Sequence, residues 1–129
     1  MATGFPWSTG QVLTAAGMNG LVTFTLNPQT GTTYTAASTD QYQVLVTMNN
    51  ASSNTFYIPT DATYAFPNGT AITIMQIGAG VTTITATTPG TTTITSAAAT
   101  SASPVLARYK TAVAIKLGTN AWTIVGAIA

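Results

Sequence analysis

The sequence contains no cysteine, no histidine and no glutamate. The missing cysteines and histidines exclude disulfides, thiolate and imidazole metal ligands, and the commonest general base. The only carboxylates are Asp40 and Asp61, and both stand in turn-like segments where Asp commonly bonds to nearby backbone amides. We therefore predict a protein that is not an enzyme and that has no metal and no cofactor.

Charge is nearly absent as well. Charged residues make up 4% of the 129 positions, with a net charge of +1, whereas an ordinary domain has roughly 25%. Threonine occupies about one position in five, and its branched Cβ suits a strand. Because so little charge gives little repulsion between copies, we expect partners to cover much of the surface.

Long apolar runs are also lacking. No stretch approaches the eighteen or so apolar residues of a membrane span, and Met1 to Trp7 has neither the positive nor the apolar region of a secretory signal. We expect synthesis in a cytoplasm and no membrane partner.

The first twenty residues differ from the remainder, and we predict an N-terminal arm over 1–20 and a β domain over 21–129. Ser8 and Gln11 have the spacing of a capping box, which favours a short helix that begins at Val12 and ends near Gly17 or Gly20. The arm carries large apolar side chains that pack either on its own domain or on a neighbour. These are Phe5, Trp7, Leu13 and Met18.

From Leu21 onward the apolar residues alternate with a period of two, which is typical of strands. Eight or nine short strands with turns between them predict an all-β fold, a β-sandwich or jelly roll. A β-prism or an intertwined trimer is the main alternative, and no longer period indicates a solenoid. The predicted strands are 22–26, ending at Asn27, then 42–48, 56–58 and 71–77, the last with two apolar faces as if buried between two layers.

The second half of the chain predicts two hairpins. Segments 81–86 and 91–95 flank a Pro89-Gly90 turn, and a strand over 105–117 is followed by a closing strand over 122–125. In the long strand, the residues that would share the inner face are Val105, Tyr109, Val113, Ile115 and Leu117. The Gly78-Ala79-Gly80 segment lacks the spacing of a phosphate loop and is interpreted as a strand connection.

Arg108, Lys110 and Lys116 would share the opposite face of that long strand. Three cations could contact phosphate or an acidic partner, but no aromatic residues interleave them as in a nucleic-acid site. We expect a solvated or inter-subunit face and no nucleic acid. Tyr34, Tyr57 and Tyr64 either pack in the core or turns or stack on sugars.

Two stretches resemble tailed-bacteriophage structural proteins. Residues 6–20, PWSTGQVLTAAGMNG, resemble an N-terminal motif of phage fibre and head-decoration proteins, with an aromatic, a glycine, a Val-Leu-Thr-Ala-Ala core and an asparagine. Residues 72–80, Tyr109 and 116–126 are similar to a C-terminal β module that ends in KLGTN-x-W-x-x-x-G.

The resemblance implies a virion component, usually homotrimeric, whose N-terminal segment attaches to the particle. The resemblance also implies a structural role for the closing hairpin, whose matching residues are Lys116, Gly118, Asn120, Trp122 and Gly126. The leading expectation is a capsid decoration or cement protein whose partner is the major capsid protein, and the alternative is a short tail fibre or spike that binds host glycan or protein. The expected partner-binding residues are Phe5, Trp7, Val12, Leu13, Met18 and Asn19.

Overall fold

The computed structural model describes residues 23–129, so the predicted arm and its helix lie outside the described residues. One 3-10 turn spans Ser38–Gln41, and all other regular structure in the described part is strand. The predicted all-β, sandwich-like fold is confirmed. The strands are β1 Thr25–Gln29, β2 Thr33–Thr35, β3 Val44–Met48, β4 Asn54–Ile58, β5 Ala71–Gln76, β6 Thr82–Ala86, β7 Thr93–Ser96, β8 Val105–Leu106, β9 Thr111–Gly118 and β10 Ala121–Gly126.

The strands form two sheets, one in the order β1-β3-β5-β9-β10-β7 and one in the order β2-β4-β6-β8. From β1 to β6 the chain alternates between the sheets, and each strand pairs in parallel with the strand two places on. The first half of the fold is therefore a coil wound through both layers. Strands β9 and β10 then add the predicted closing hairpin as an antiparallel pair.

Unequal turns of this coil hide its repeat from sequence inspection. Leu45 pairs with Thr73 and Asn54 with Thr82, an offset of 28 residues in both sheets. In the preceding turn the offsets are 19 residues for Leu26 and Leu45 and 22 for Thr33 and Thr55. No single period covers both turns, although the layers stack in register.

The core lies between the sheets and is made of alternate residues of each strand. The inward positions of β3, β4 and β6 follow the predicted period of two. Phe66, from the loop before β5, packs edge to face on Trp122 with ring centres 5.5 Å apart, a geometry that aromatic pairs prefer. The largest fully buried side chains include Met48, Phe56, Ile74, Ile84 and Trp122.

The Gly78-Ala79-Gly80 segment is the strand connection that we predicted, stacked directly on the turn of the coil before it. The Gly80 N–H donates to the Asn50 carbonyl at 2.9 Å. A Cβ on Gly78 would lie 2.4 Å from the Asn50 backbone nitrogen, and one on Gly80 would lie 2.1 Å from the Ser52 carbonyl oxygen. The close stacking of two backbones therefore requires glycine at both positions.

A buried polar network closes the same end of the core. The Gln76 amide donates to the Thr82 hydroxyl at 2.8 Å, and that hydroxyl donates to the Asn54 side-chain oxygen. The Gln76 oxygen accepts the Gly78 N–H at 2.7 Å. Each polar group is thus paired inside the protein, which avoids the cost of an unsatisfied buried group.

Two predicted strand arrangements are wrong near the N-terminus and in the middle of the chain. The first strand does not end at Asn27 but continues through Pro28, because the Thr25 N–H donates to the Gln43 carbonyl just before β3 and the Gln29 carbonyl accepts the Asn49 N–H just after it. Pro28 lies in the edge strand of its sheet, where proline is tolerated. Segments β6 and β7 do not form a hairpin. The turn around Pro89 carries the chain from one sheet to the other, and β7 pairs with β10.

The predicted strand over 105–117 is also wrong, because it is two strands in different sheets. A turn separates them, with the Lys110 N–H donating to the Ala107 carbonyl at 3.1 Å and Tyr109 at a φ of 64°. This break resets which face points inward. Lys116 is buried beside Ala112 and Ala114, whereas the residues predicted to point inward, Val113, Ile115 and Leu117, point outward.

Candidate partner-binding surface

The outer side of the six-stranded sheet is an apolar surface. Leu26, Leu45, Thr73, Val113 and Val125 are paired neighbour to neighbour across five strands. Side chains directly opposite one another in a sheet lie about 5 Å apart, so these five form one continuous row. We call this surface the apolar face. Its outward residues are apolar side chains and threonines, namely Leu26, Pro28, Leu45, Thr47, Ala71, Thr73, Met75, Thr93, Thr95, Thr111, Val113, Ile115, Leu117, Ala121, Thr123 and Val125.

Over residues 23–129 the central residues of the apolar face are partly exposed, and several residues at its margins are exposed. Leu26 is 65% exposed, Leu117 60% and Val125 45%, and Phe24 beside β1 is 57% exposed. The one charged residue in these six strands, Lys116, points into the core. A solvated sheet face normally alternates polar residues outward, so this face has the composition of a covered surface.

The Asp40 side chain is buried and forms hydrogen bonds inside the fold. Its carboxylate accepts hydrogen bonds from the Tyr34 hydroxyl at 2.6 Å, the Asn27 amide at 2.9 Å and the Ala37 N–H at 2.8 Å. Burial, the hydrogen bond to Asp40 and the negative charge of Asp40 together raise the pKa of Tyr34 to about 12. The predicted turn role of Asp40 is confirmed.

The second acid, Asp61, has a different role from the predicted one. Its carboxylate lies 2.8 Å from the Lys116 ammonium, which also donates to the Phe66 carbonyl at 2.7 Å. The Lys116 side chain is only 2% exposed and that of Asp61 20%. This ion pair ties the loop before β5 to β9 and uses one of the three predicted surface cations inside the protein.

The remaining cations, Arg108 and Lys110, are exposed on the turn between β8 and β9. The Arg108 guanidinium lies 4.7 Å from the centre of the Tyr109 ring and donates to the Ile77 carbonyl at 3.2 Å. The predicted three-cation stripe is therefore wrong. Since Asp40 and Lys116 are buried and Asp61 is partly buried in its ion pair, this turn carries the exposed charged side chains of the protein.

The outer side of the four-stranded sheet is rich in hydroxyls, and we call it the threonine face. Thr33, Thr55 and Thr83 form one row, and Thr35, Tyr57 and Thr85 form the next. Of the three tyrosines considered for sugar binding, Tyr57 lies on this surface. The other two pack against the core, with Tyr34 bonded to Asp40 and Tyr64 accepting from Gln41.

The residues of the closing hairpin hold the turn and its neighbours in place. Asn120 has a φ of 49° and its side-chain oxygen accepts the Asp61 N–H at 2.8 Å. Gly126 has a φ of 131°, and a Cβ there would lie 2.5 Å from the Thr111 carbonyl oxygen. The partner-binding residues expected from the sequence, Phe5, Trp7, Val12, Leu13, Met18 and Asn19, lie outside the described residues.

Comparison of the chain with protein-family models, with curated proteins and with solved structures finds no match. Within residues 23–129 there is no group of three or more acidic, histidine or cysteine side chains that could hold a metal ion. No helix in that range is long and apolar enough to cross a membrane.

Sequence reasoning missed the apolar face because it assigned Val113, Ile115 and Leu117 to the core. A signal was present in 71–77, where apolar residues occupy both faces of a strand. From the sequence alone, that pattern predicts a strand buried between two layers. In the structure one side packs on the core through Ile72 and Ile74, and the other side belongs to the apolar face.

Proposed function

We propose that the chain is a bacteriophage capsid decoration protein, which binds the outer surface of the major capsid shell and stabilises it without catalysis. The observation that supports this proposal is the apolar face. The fold already has a packed core between its sheets, yet it leaves a broad uncharged surface on one side. Monomeric proteins rarely expose apolar patches of more than a few hundred Å², so such a surface fits a component of an assembly.

The near absence of surface charge supports the same proposal. A protein that must stay dispersed as single molecules benefits from net charge, whereas this chain has +1. In a shell, each copy contributes a modest contact, and many copies acting together give a large total effect. We propose a homotrimer whose N-terminal segment, with Phe5, Trp7, Val12, Leu13, Met18 and Asn19, contacts the major capsid protein on the virion.

A short tail fibre or spike module is the second candidate, and Tyr57 is the observation that favours it. Its ring lies among the hydroxyls of Thr35, Thr55 and Thr85 on the threonine face. Rings of this kind present an apolar body with a polar tip, which suits contact with a sugar. The decoration role is preferred because the apolar face covers the six-stranded sheet, whereas Tyr57 is a single ring on the smaller four-stranded sheet.

Adding the purified full-length chain back to particles produced without it tests the proposed function. We expect saturable binding and a higher temperature of DNA release, measured with a dye that fluoresces on free DNA. A Trp7→Ala, Leu13→Ala double variant should bind more weakly, because it lacks two apolar side chains of the attachment segment. Thr83→Ala on the threonine face is the matched control and should behave as the unaltered chain. Particles that neither bind the chain nor change in stability would contradict the proposal.

A further inference from the structure

We infer that the apolar face is the surface through which copies of this chain contact one another. The inference rests on the proposed function in one respect, since both require copies of the chain to assemble. Two identical faces that meet form a two-fold pair, so this contact is separate from the contacts within the proposed homotrimer. The inference differs from the proposed function because it concerns the described β domain and not the N-terminal segment. The occupant of the face is a second copy of the chain.

The size of the face agrees with this assignment. Six strands at a spacing of about 4.8 Å and a length of roughly 20 Å give a surface of roughly 500 Å². Two copies that cover it would bury about 1,000 Å² in total, which is the size that a predicted biological interface should reach. Phe24 and Leu117, which are more than half exposed beside and on the face, add to the apolar area.

The charge distribution narrows the choice of partner. No charged side chain points outward from the strands of the face, so a partner with a charged contact surface would lose water from its charges without gaining an opposite charge. A suitable partner presents an uncharged apolar surface of similar extent. Another copy of this chain presents one, and identical faces meet here without repulsion between like charges.

Symmetry gives a second reason to assign copies of the chain to this face. Most soluble oligomers are built from identical subunits with closed symmetry. The central row crosses five of the six strands and reaches β1, whose outer edge is unpaired among the described residues. The turn with Arg108 and Lys110 comes directly before β9 and lies outside the row.

The test is the oligomeric mass of the full-length chain, measured by light scattering and sedimentation. Val113→Lys places a charge in the middle of the face, and Thr83→Lys places one on a partly exposed inner strand of the threonine face as the matched control. We expect the unaltered chain and Thr83→Lys to be oligomers. Val113→Lys should raise the dissociation constant at least about 100-fold, because association would bury an unpaired charge.

A second variant keeps the test decisive if Val113→Lys fails to fold. Leu26 is 65% exposed on the edge strand, so Leu26→Lys should keep the circular dichroism and melting temperature of the unaltered chain while it weakens association. A monomeric unaltered chain, or variants that remain oligomers, would overturn the inference. Oligomers that do not bind shells would instead contradict the proposed function and leave the interface standing. A monomer that still raises the temperature of DNA release would contradict the inferred interface and leave the proposed function standing.

Discussion

Asp61→Ala is expected to lower the free energy of unfolding by about 3–5 kcal/mol. The Lys116 side chain is 2% exposed and its ammonium bonds only to Asp61 and to the Phe66 carbonyl among the described residues. Removal of the carboxylate leaves a buried positive charge with one neutral acceptor. Urea denaturation followed by tryptophan fluorescence measures the change, because Trp122 lies beside Lys116 in the sheet.

Two variants serve as controls for this prediction. One removes the positive charge alone, and the other removes both charges. Lys116→Met should cost less than Asp61→Ala, since the Asp61 side chain is 20% exposed and can regain water. The Asp61→Ala, Lys116→Met double variant should recover much of the lost stability, because an apolar replacement of a buried ion pair is often tolerated. Equal losses for Asp61→Ala and the double variant would contradict the role given to the ion pair.

Gly80→Ala is expected to give the second largest loss, about 3 kcal/mol. The added methyl would lie 2.1 Å from the Ser52 carbonyl oxygen and 2.9 Å from that of Asn50. These are backbone atoms of the stacked turn, so they cannot move aside as a flexible side chain would. The two turns must separate, which weakens the Gly80 to Asn50 hydrogen bond and the network below it. Thermal unfolding of the purified chain measures this loss.

Gly90→Ala is the matched control for Gly80→Ala. A Cβ at Gly90 meets no atom within 4 Å, and its backbone lies outside the left-handed region. Alanine there should change stability by less than about 1 kcal/mol. Equal melting temperatures for Gly80→Ala and Gly90→Ala would show that the turns do not stack as described.

The strand pattern of the middle of the chain could be predicted because one face of each strand is buried. In β3 and β4 the period of two is unbroken, and Val46, Met48, Phe56 and Ile58 point inward as the alternation indicates. The closing hairpin could be predicted from the Gly-Thr-Asn turn before Trp122. These features depend on local sequence, and local sequence was sufficient for them.

The winding of the chain could not be predicted, because it depends on contacts between distant residues. The coil offsets differ from one turn to the next, so the parallel pairing of β3 with β5 leaves no simple repeat in the sequence. The turn at Tyr109 could not be predicted from the sequence for another reason. Its φ of 64° is uncommon for a bulky residue, and nothing in the local sequence marks the break that turns Lys116 inward.

A strand with apolar residues on both sides can be covered by its own chain or by a partner, and the apolar face shows that the sequence does not distinguish the two. Apolar residues on both sides of 71–77 indicate that both sides are covered, but the pattern does not say by what. The prediction of an internal strand assumes that a layer of the same chain covers each side of the strand. The structure places that layer on one side only within residues 23–129, and we propose that partners in an assembly supply the other.

The copy number of this chain in purified particles, determined by quantitative mass spectrometry against the major capsid protein, tests the central proposal most directly. A decoration protein that covers the shell predicts a ratio near one to one. A few copies per particle would contradict shell-wide decoration and would favour the fibre or spike alternative.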